Sequence, residues 1–210
     1  MQSSLRVAEN TLSVLVRDVC HATCDEYVDE VMTAPSTPEE WRQLADGFLK
    51  NWNFSNCVAA IDGKHIAIRK PASSGSLYYN YKGFFSIIVL AIVDSDYKFV
   101  WCDLGDPQPF PNDTVDMPYF LVGDDAFSLR ENMQKPKGHR VLTTDDRILN
   151  YRLSRARRVS ENAFEILANR FQILLTKMNH SPSTVRLIVK TCCILHRISS
   201  HSNTVESEKS

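Results

Sequence analysis

The sequence predicts an α/β domain. Three observations carry that expectation. β-Branched apolar runs fill the middle of the chain, helical periodicities occupy both ends, and turn-forming residues punctuate the intervals. The 210 residues are enough for one sizeable core, or one domain with a small appendage. Hydrophobic content of 43% and charged content of 23% are ordinary for a soluble globular protein. No apolar run is long enough to span a bilayer, and the opening MQSSLRVAEN lacks the apolar core of a signal peptide, so no membrane partner is expected. The six cysteines include no CxxC pair, which removes zinc-site spacing and fits reduced thiols in a nuclear or cytosolic protein. With a formal net charge of −1, any contact with nucleic acid must come from a local patch.

Residues 8–32 read as a helix, with Leu12, Leu15, Val16, Val19, Thr23, Tyr27 and Val31 recurring at intervals of three and four. That stripe predicts a packing helix. The alternative is the second helix of a helix-turn-helix, for which too few residues precede it. After the break at Ala34–Pro38, Thr37 caps a second helix with Pro38 in its first position and Glu39 and Glu40 in its first turn. Its apolar positions are Trp41, Leu44, Ala45, Phe48 and Leu49. The stretch CVAAIDGKHIAIRKP (57–71) reads as a strand, a tight Asp62-Gly63 turn and a second strand. Tyr78, Tyr79, Tyr81 and Lys82 then lie in a polar, aromatic loop. Such a loop packs on a sheet or stacks on nucleotides, the first being the commoner use. Residues 84–94 and 97–104 form a hairpin about Asp94-Ser95-Asp96. A loop over 105–116 holds three of the nine prolines. Residues 117–122 (MPYFLV) form a further strand, and 126–133 a short helix. A long helix runs from Asp145 or Asp146 to about Lys177 with Val159, Ala163, Ile166, Leu167, Phe171 and Leu174 as its apolar stripe. The last helix spans about 183–199, and the polar tail 200–210 is expected to be disordered.

Two of these strands run into acid. Asp62 follows the first apolar run, and Asp124 follows MPYFLV. Glu161 lies on the long helix, opposite its apolar stripe at about 100° per residue. Two strand-end aspartates and a helix glutamate can converge on a divalent metal pair, because hard cations take oxygen ligands and such pairs activate water for attack at phosphate. The basic run NYRLSRARR beside Glu161 would then face a nucleic-acid backbone. Each piece also has a plainer use. Glu161 can pair with Arg157 or Arg158, Asp124-Asp125 can cap the following helix, and RLSRARR can be a solvated face.

The residues AIDGKHIAIRKP, YYNYKGFFS, VLAIVDSDYKFVWCDLG, PYFLVGDDAF, NYRLSRARRVSENAFEILANRF and TCCILH occur in that order, from about Trp41 to His196. In this the chain resembles the PIF/Harbinger transposase family of DDE superfamily endonucleases. The resemblance implies an RNase H-like fold, a mixed sheet flanked by helices, spanning 54–199. It would be preceded by a helical region, 1–53, that looks like the remnant of a helix-turn-helix module. It also implies DNA endonuclease chemistry with Mg²⁺ or Mn²⁺ held by Asp62, Asp124 and Glu161. DNA-backbone contacts would come from Lys64, Arg157 and Arg158, and the expected partners are DNA and a Myb-like DNA-binding protein. A nuclear, and also cytoplasmic, location is expected.

Three departures bear on activity. The family carries a further acid in a Ser-x-Ser-Asp or Ser-x-His-Asp element after the strand that ends here in CDLG, and this chain passes instead to DPQPFPNDTVD. Asp106 and Asp113 lie near but outside that motif. The N-terminal DNA-reading module is shortened. Glu165 and Arg197 replace the usual Gly and Asn, and Glu165 adds a like charge one turn from Glu161. Two readings follow: a transposase-derived, metal-dependent nuclease domain impaired by the lost motif, or a catalytically inert nuclear DNA-binding or adaptor protein that keeps the fold.

Overall fold

The computed structural model describes residues 8–104, 120–124, 133–138 and 142–207. Two helices, α1 (Glu9–Val31) and α2 (Pro38–Trp52), lead into the strands β1 (Cys57–Ala67), β2 (Ser86–Val93) and β3 (Phe99–Asp103). Short strands β4 (Phe120–Val122) and β5 (Met133–Gln134) follow, then α3 (Thr144–Arg170), a 3-10 turn (Gln172–Leu175) and α4 (Pro182–Ser207). The sheet order is β3-β2-β1-β4-β5, with β1, β2 and β3 antiparallel in turn and β4 and β5 parallel to β1 and to each other. This is the mixed sheet of an RNase H-like fold.

The Asp62-Gly63 turn expected from the sequence does not exist. β1 is one continuous strand, with Asp62 opposite Ala91 and Gly63 opposite Leu90 on β2. An Asn-Gly-type hairpin turn needs positive φ, and Gly63 is not among the positive-φ glycines, Gly75 and Gly83. β1 is long because two ladders meet end to end at Ala60: residues 57–60 pair with β4 and residues 60–67 with β2. All five residues from Cys57 to Ile61 are buried, so both faces of β1 are covered at this end.

The hairpin about Asp94 is present. The Asp94 carboxylate accepts from the backbone N–H groups of Asp96 and Lys98, each at 2.9 Å, and Tyr97 takes φ 65°. α2 anchors this turn through Trp52 Nε1, which donates to the Ser95 carbonyl at 3.1 Å, and Asn51, which donates to Asp96 at 3.0 Å. α2 is opened as expected by Thr37, in a capping box with Glu40. The short helix expected over 126–133 falls mostly outside the described residues, and its last residue, Met133, is in β5. Of the strand expected over 117–122, residues 120–122 form β4 and 117–119 lie outside the described residues.

α1 corrects the expected packing stripe. Leu12, Leu15, Val16, Val19 and Tyr27 are exposed; of the expected stripe Val31 is buried, joined by Cys20 and Cys24 off that stripe. That second stripe meets α4, where the Thr191 hydroxyl donates to the Cys20 carbonyl and lies 3.4 Å from the Cys24 thiol. A small Cys/Thr seam wins there because it lets two helices approach closely, and the aliphatic stripe of the first turns stays on the surface. α4 also runs further than expected, to Ser207. No helix among the described residues is long and apolar enough to cross a membrane.

α3 opens on Thr143, again in a capping box, with Asp146 as the returning carboxylate. The Lys137 ammonium meets Asp146 at 2.6 Å and, with the Thr143 hydroxyl, lowers its carboxyl to about 2. Asp146 therefore stabilises the fold above the ordinary aspartate range, and that contribution disappears as pH falls from about 4 toward 2. Urea midpoints across that window should fall less steeply in Asp146→Asn than in the native chain. Parallel acid limbs in the two would contradict this role.

Candidate metal centre

The site grows out of the parallel β1–β4 pair. Ala60 lies opposite Val122, and both side chains are fully buried. Asp62 stands two residues further along β1, where the period-two alternation of the strand returns it to the face of Ala60. Asp124 lies two residues past Val122, beyond the end of β4. The ladder between the two strands has ended by then. Gly123 instead donates its N–H to the Gln134 carbonyl of β5 at 3.1 Å. Asp62 thus lies within β1, where its pairing with β4 stops and its pairing with β2 goes on.

α3 brings the third acid. Leu153, Ala156, Val159, Ala163, Phe164 and Leu167 are buried, which fixes the rotation of the helix against the sheet. Glu161 is left on the flank, where its carboxylate accepts from Arg157 Nη2 at 2.9 Å. Both side chains of this pair are roughly two-fifths exposed (37% and 45%), so its own contribution is a few tenths of a kcal/mol. Arg158 is exposed on the same helix, and Lys64 places its ammonium 5.9 Å from the centroid of the Phe164 ring.

Asp62 registers the convergence. Burial raises its carboxyl above the ordinary aspartate value, and the charges of Asp124 and Glu161 raise it further. The Gly63 N–H, which it accepts at 2.8 Å, and the Arg157 guanidinium oppose that rise without cancelling it. Asp124, Glu161 and Arg157 therefore each lie within electrostatic reach of Asp62. Among the described residues, however, no three acidic, histidine or cysteine side chains close on a point that would hold an ion. Asp106 and Asp113 lie outside the described residues. Glu165 is exposed, and Arg197 donates to the Phe99 carbonyl at 2.7 Å, tying α4 to β3.

The donor set suits a hard divalent cation by chemistry: three carboxylates, one of them half-buried and raised by the charges of the other two. Arg157 already supplies positive charge there, through the i,i+4 pair with Glu161 that the sequence spacing offered as the plainer use of that glutamate.

Comparison with known proteins bears on this arrangement. The family model described as "DDE superfamily endonuclease" matches residues 61–115 and 108–197. The two stretches meet in the β3–β4 connection, where the sequence departs from the family's acidic element. The chain is 24% identical over 216 residues to the cattle (Bos taurus) protein named "Putative nuclease HARBI1", covering 95% of this chain and 61% of that protein. The figures for the human (Homo sapiens) protein of that name are the same. It is 25% identical over 194 residues to "Protein ALP1-like" of Arabidopsis thaliana, covering 78% of this chain and 48% of that protein. The chain thus spans about three-fifths or less of the length of these relatives. No solved structure gives a match. With the family model covering more than half of it, and Asp62, Asp124 and Glu161 within that match, the chain belongs to the DDE superfamily endonucleases of PIF/Harbinger type.

Proposed function

We propose that this is a transposase-derived nuclease domain that hydrolyses phosphodiester bonds of DNA with a divalent cation, Mg²⁺ or Mn²⁺, held by Asp62, Asp124 and Glu161. The observation that carries the reading is the state of Asp62, whose carboxyl is raised by burial and by two neighbouring carboxylates. A cation there would relieve that repulsion, lower the pKa of a bound water and offset charge on the leaving oxygen. Glu161 would have to release Arg157 to take part, which frees that guanidinium for a phosphate oxygen. Lys64 and Arg158 would add backbone contacts that position the strand without reading its sequence. A nuclear location and a Myb-like DNA-binding partner belong to the same proposal.

The Arg157–Glu161 pair also favours a second reading. An arginine already paired with Glu161 suits an inert fold that binds DNA or an adaptor without cutting. Nicking of supercoiled plasmid separates the two. The nuclease reading expects nicks that require Mn²⁺ or Mg²⁺ and vanish in chelator. Binding of DNA with no nicking under either metal would overturn it in favour of the second.

A further inference from the structure

Charge along this chain is sharply segregated. Residues 63–93 carry four Lys or Arg and no Asp or Glu, and residues 166–205 carry five and none, although acids outnumber Lys and Arg 25 to 24 overall. The fold joins these two acid-free segments. Past the end of β1, Ile68 bridges to Met178; the Arg69 N–H donates to the Met178 carbonyl at 2.9 Å, and the Met178 N–H to the Ala67 carbonyl at 3.0 Å. At this junction lies a cleft of about 370 Å³ lined by Arg69, Lys70, Asn179, His180, Ser181 and Pro182.

Its cations are not committed to acids. Arg69 donates to the neutral side-chain oxygen of Asn179 at 3.3 Å, and the Lys70 ammonium stands 5.7 Å from the centroid of the Phe85 ring. Among the described residues neither Arg69, Lys70 nor Lys177 forms a salt bridge. The adjoining loop, 73–84, is pinned from within. The Asn80 side-chain oxygen accepts from the Lys82 and Phe84 N–H groups, and its amide donates to Ser86 Oγ at 2.7 Å. This holds Tyr79 and Tyr81 on the surface, 54% and 85% exposed, with the Lys82 ammonium 5.6 Å from the Tyr81 ring centroid.

We infer that this basic cleft is a second DNA-backbone site, one that grips a duplex away from the phosphate being cut. The inference rests on the nuclease-family reading for its choice of DNA. Lys70 follows Asp62 by eight residues, an even step along an extended chain, about 26 Å at its rise. That is about eight base pairs of duplex. A duplex whose axis follows β1 from the carboxylates would reach the cleft within one helical turn, and phosphate contacts there would fix its register without reading sequence.

The test is duplex binding in chelator, by fluorescence anisotropy on the full chain, so that no metal takes part. The variants are Arg69→Gln/Lys70→Gln, and Arg42→Gln/Lys50→Gln as an equal charge loss on α2. Loss of two phosphate contacts should weaken binding about tenfold and lower the salt slope by about two, with the α2 variant unchanged. A cleft variant that binds like the native chain, or a native chain that does not bind duplex without metal, would overturn the inference. So would preferential binding of phosphatidylserine vesicles through the same two residues. Plasmid nicking is scored separately: its absence alongside cleft-dependent binding defeats the metal-site reading and leaves this one standing.

Discussion

Asp62→Asn should abolish metal-dependent nicking while leaving the fold intact and no less stable at neutral pH. Replacing outer partners of metal ligands already costs about 10–100-fold, so loss of the innermost carboxylate should cost at least about a hundredfold. The stability half of the prediction follows from charge. In the folded chain the Asp62 carboxyl is raised by burial first and by Asp124 and Glu161 next. The folded state therefore holds this proton to higher pH than the unfolded state does. The contribution of Asp62 to stability is greatest below the ordinary aspartate value, about 3.9, and is lost as pH rises through the raised folded value. Above that window the charged carboxylate is a constant cost, which the neutral amide removes. Thermal melts of the variant and native chains across this range should therefore diverge in the variant's favour as pH rises. A variant that melts well below the native chain at neutral pH would mean that Asp62 is a structural residue.

Phe99→Ala should produce the largest loss of stability. Phe99 is fully buried at the start of β3, and its ring centroid lies 5.4 Å from those of both Phe164 on α3 and His196 on α4. One side chain thus ties the sheet to the helix that carries Glu161 and to the closing helix. Truncating such a phenylalanine costs about 3–5 kcal/mol. At about 2–4 °C per kcal/mol for a chain of this size, the melting temperature should fall by about 6–20 °C. Nicking should fall with it, because the rotation of α3 depends on the same contacts. A melting shift within about 2 °C would show that α3 and α4 are held elsewhere.

What was legible in the sequence follows from what periodicity can and cannot say. The ends of apolar runs are visible, so Asp124 was found just past its strand, whereas Asp62 proved to lie within β1 and not at its end. The apolar stripe of α3 is partly visible, through Val159, Ala163 and Leu167, so Glu161 was placed off it, but Ile166 is exposed and the helix stops at Arg170, short of Phe171 and Leu174. Pairing is not visible. Asp62-Gly63 has the composition of a hairpin turn, and only the ladder with β2 shows that the chain passes straight through. Five strands were expected and five are present among the described residues, yet they are a different five: two expected pieces fused into β1, and β5 was missed because two residues carry no alternation to detect. On α1 two stripes compete, and the more apolar one is the exposed one, because the partner helix offers a small Cys/Thr seam. The segregation of charge was present in the sequence and is found by tallying acids segment by segment, which the near-zero net charge conceals.

The central claim is that Asp62, Asp124 and Glu161 together hold a divalent cation, and calorimetric titration of Mn²⁺ into the full chain tests it most directly. The account predicts saturable binding at neutral pH that weakens as pH falls toward the raised Asp62 carboxyl value, where protons compete with the metal. It predicts loss of that binding in both Asp62→Asn and Glu161→Gln. No binding to the native chain, or binding that survives both substitutions, would contradict it.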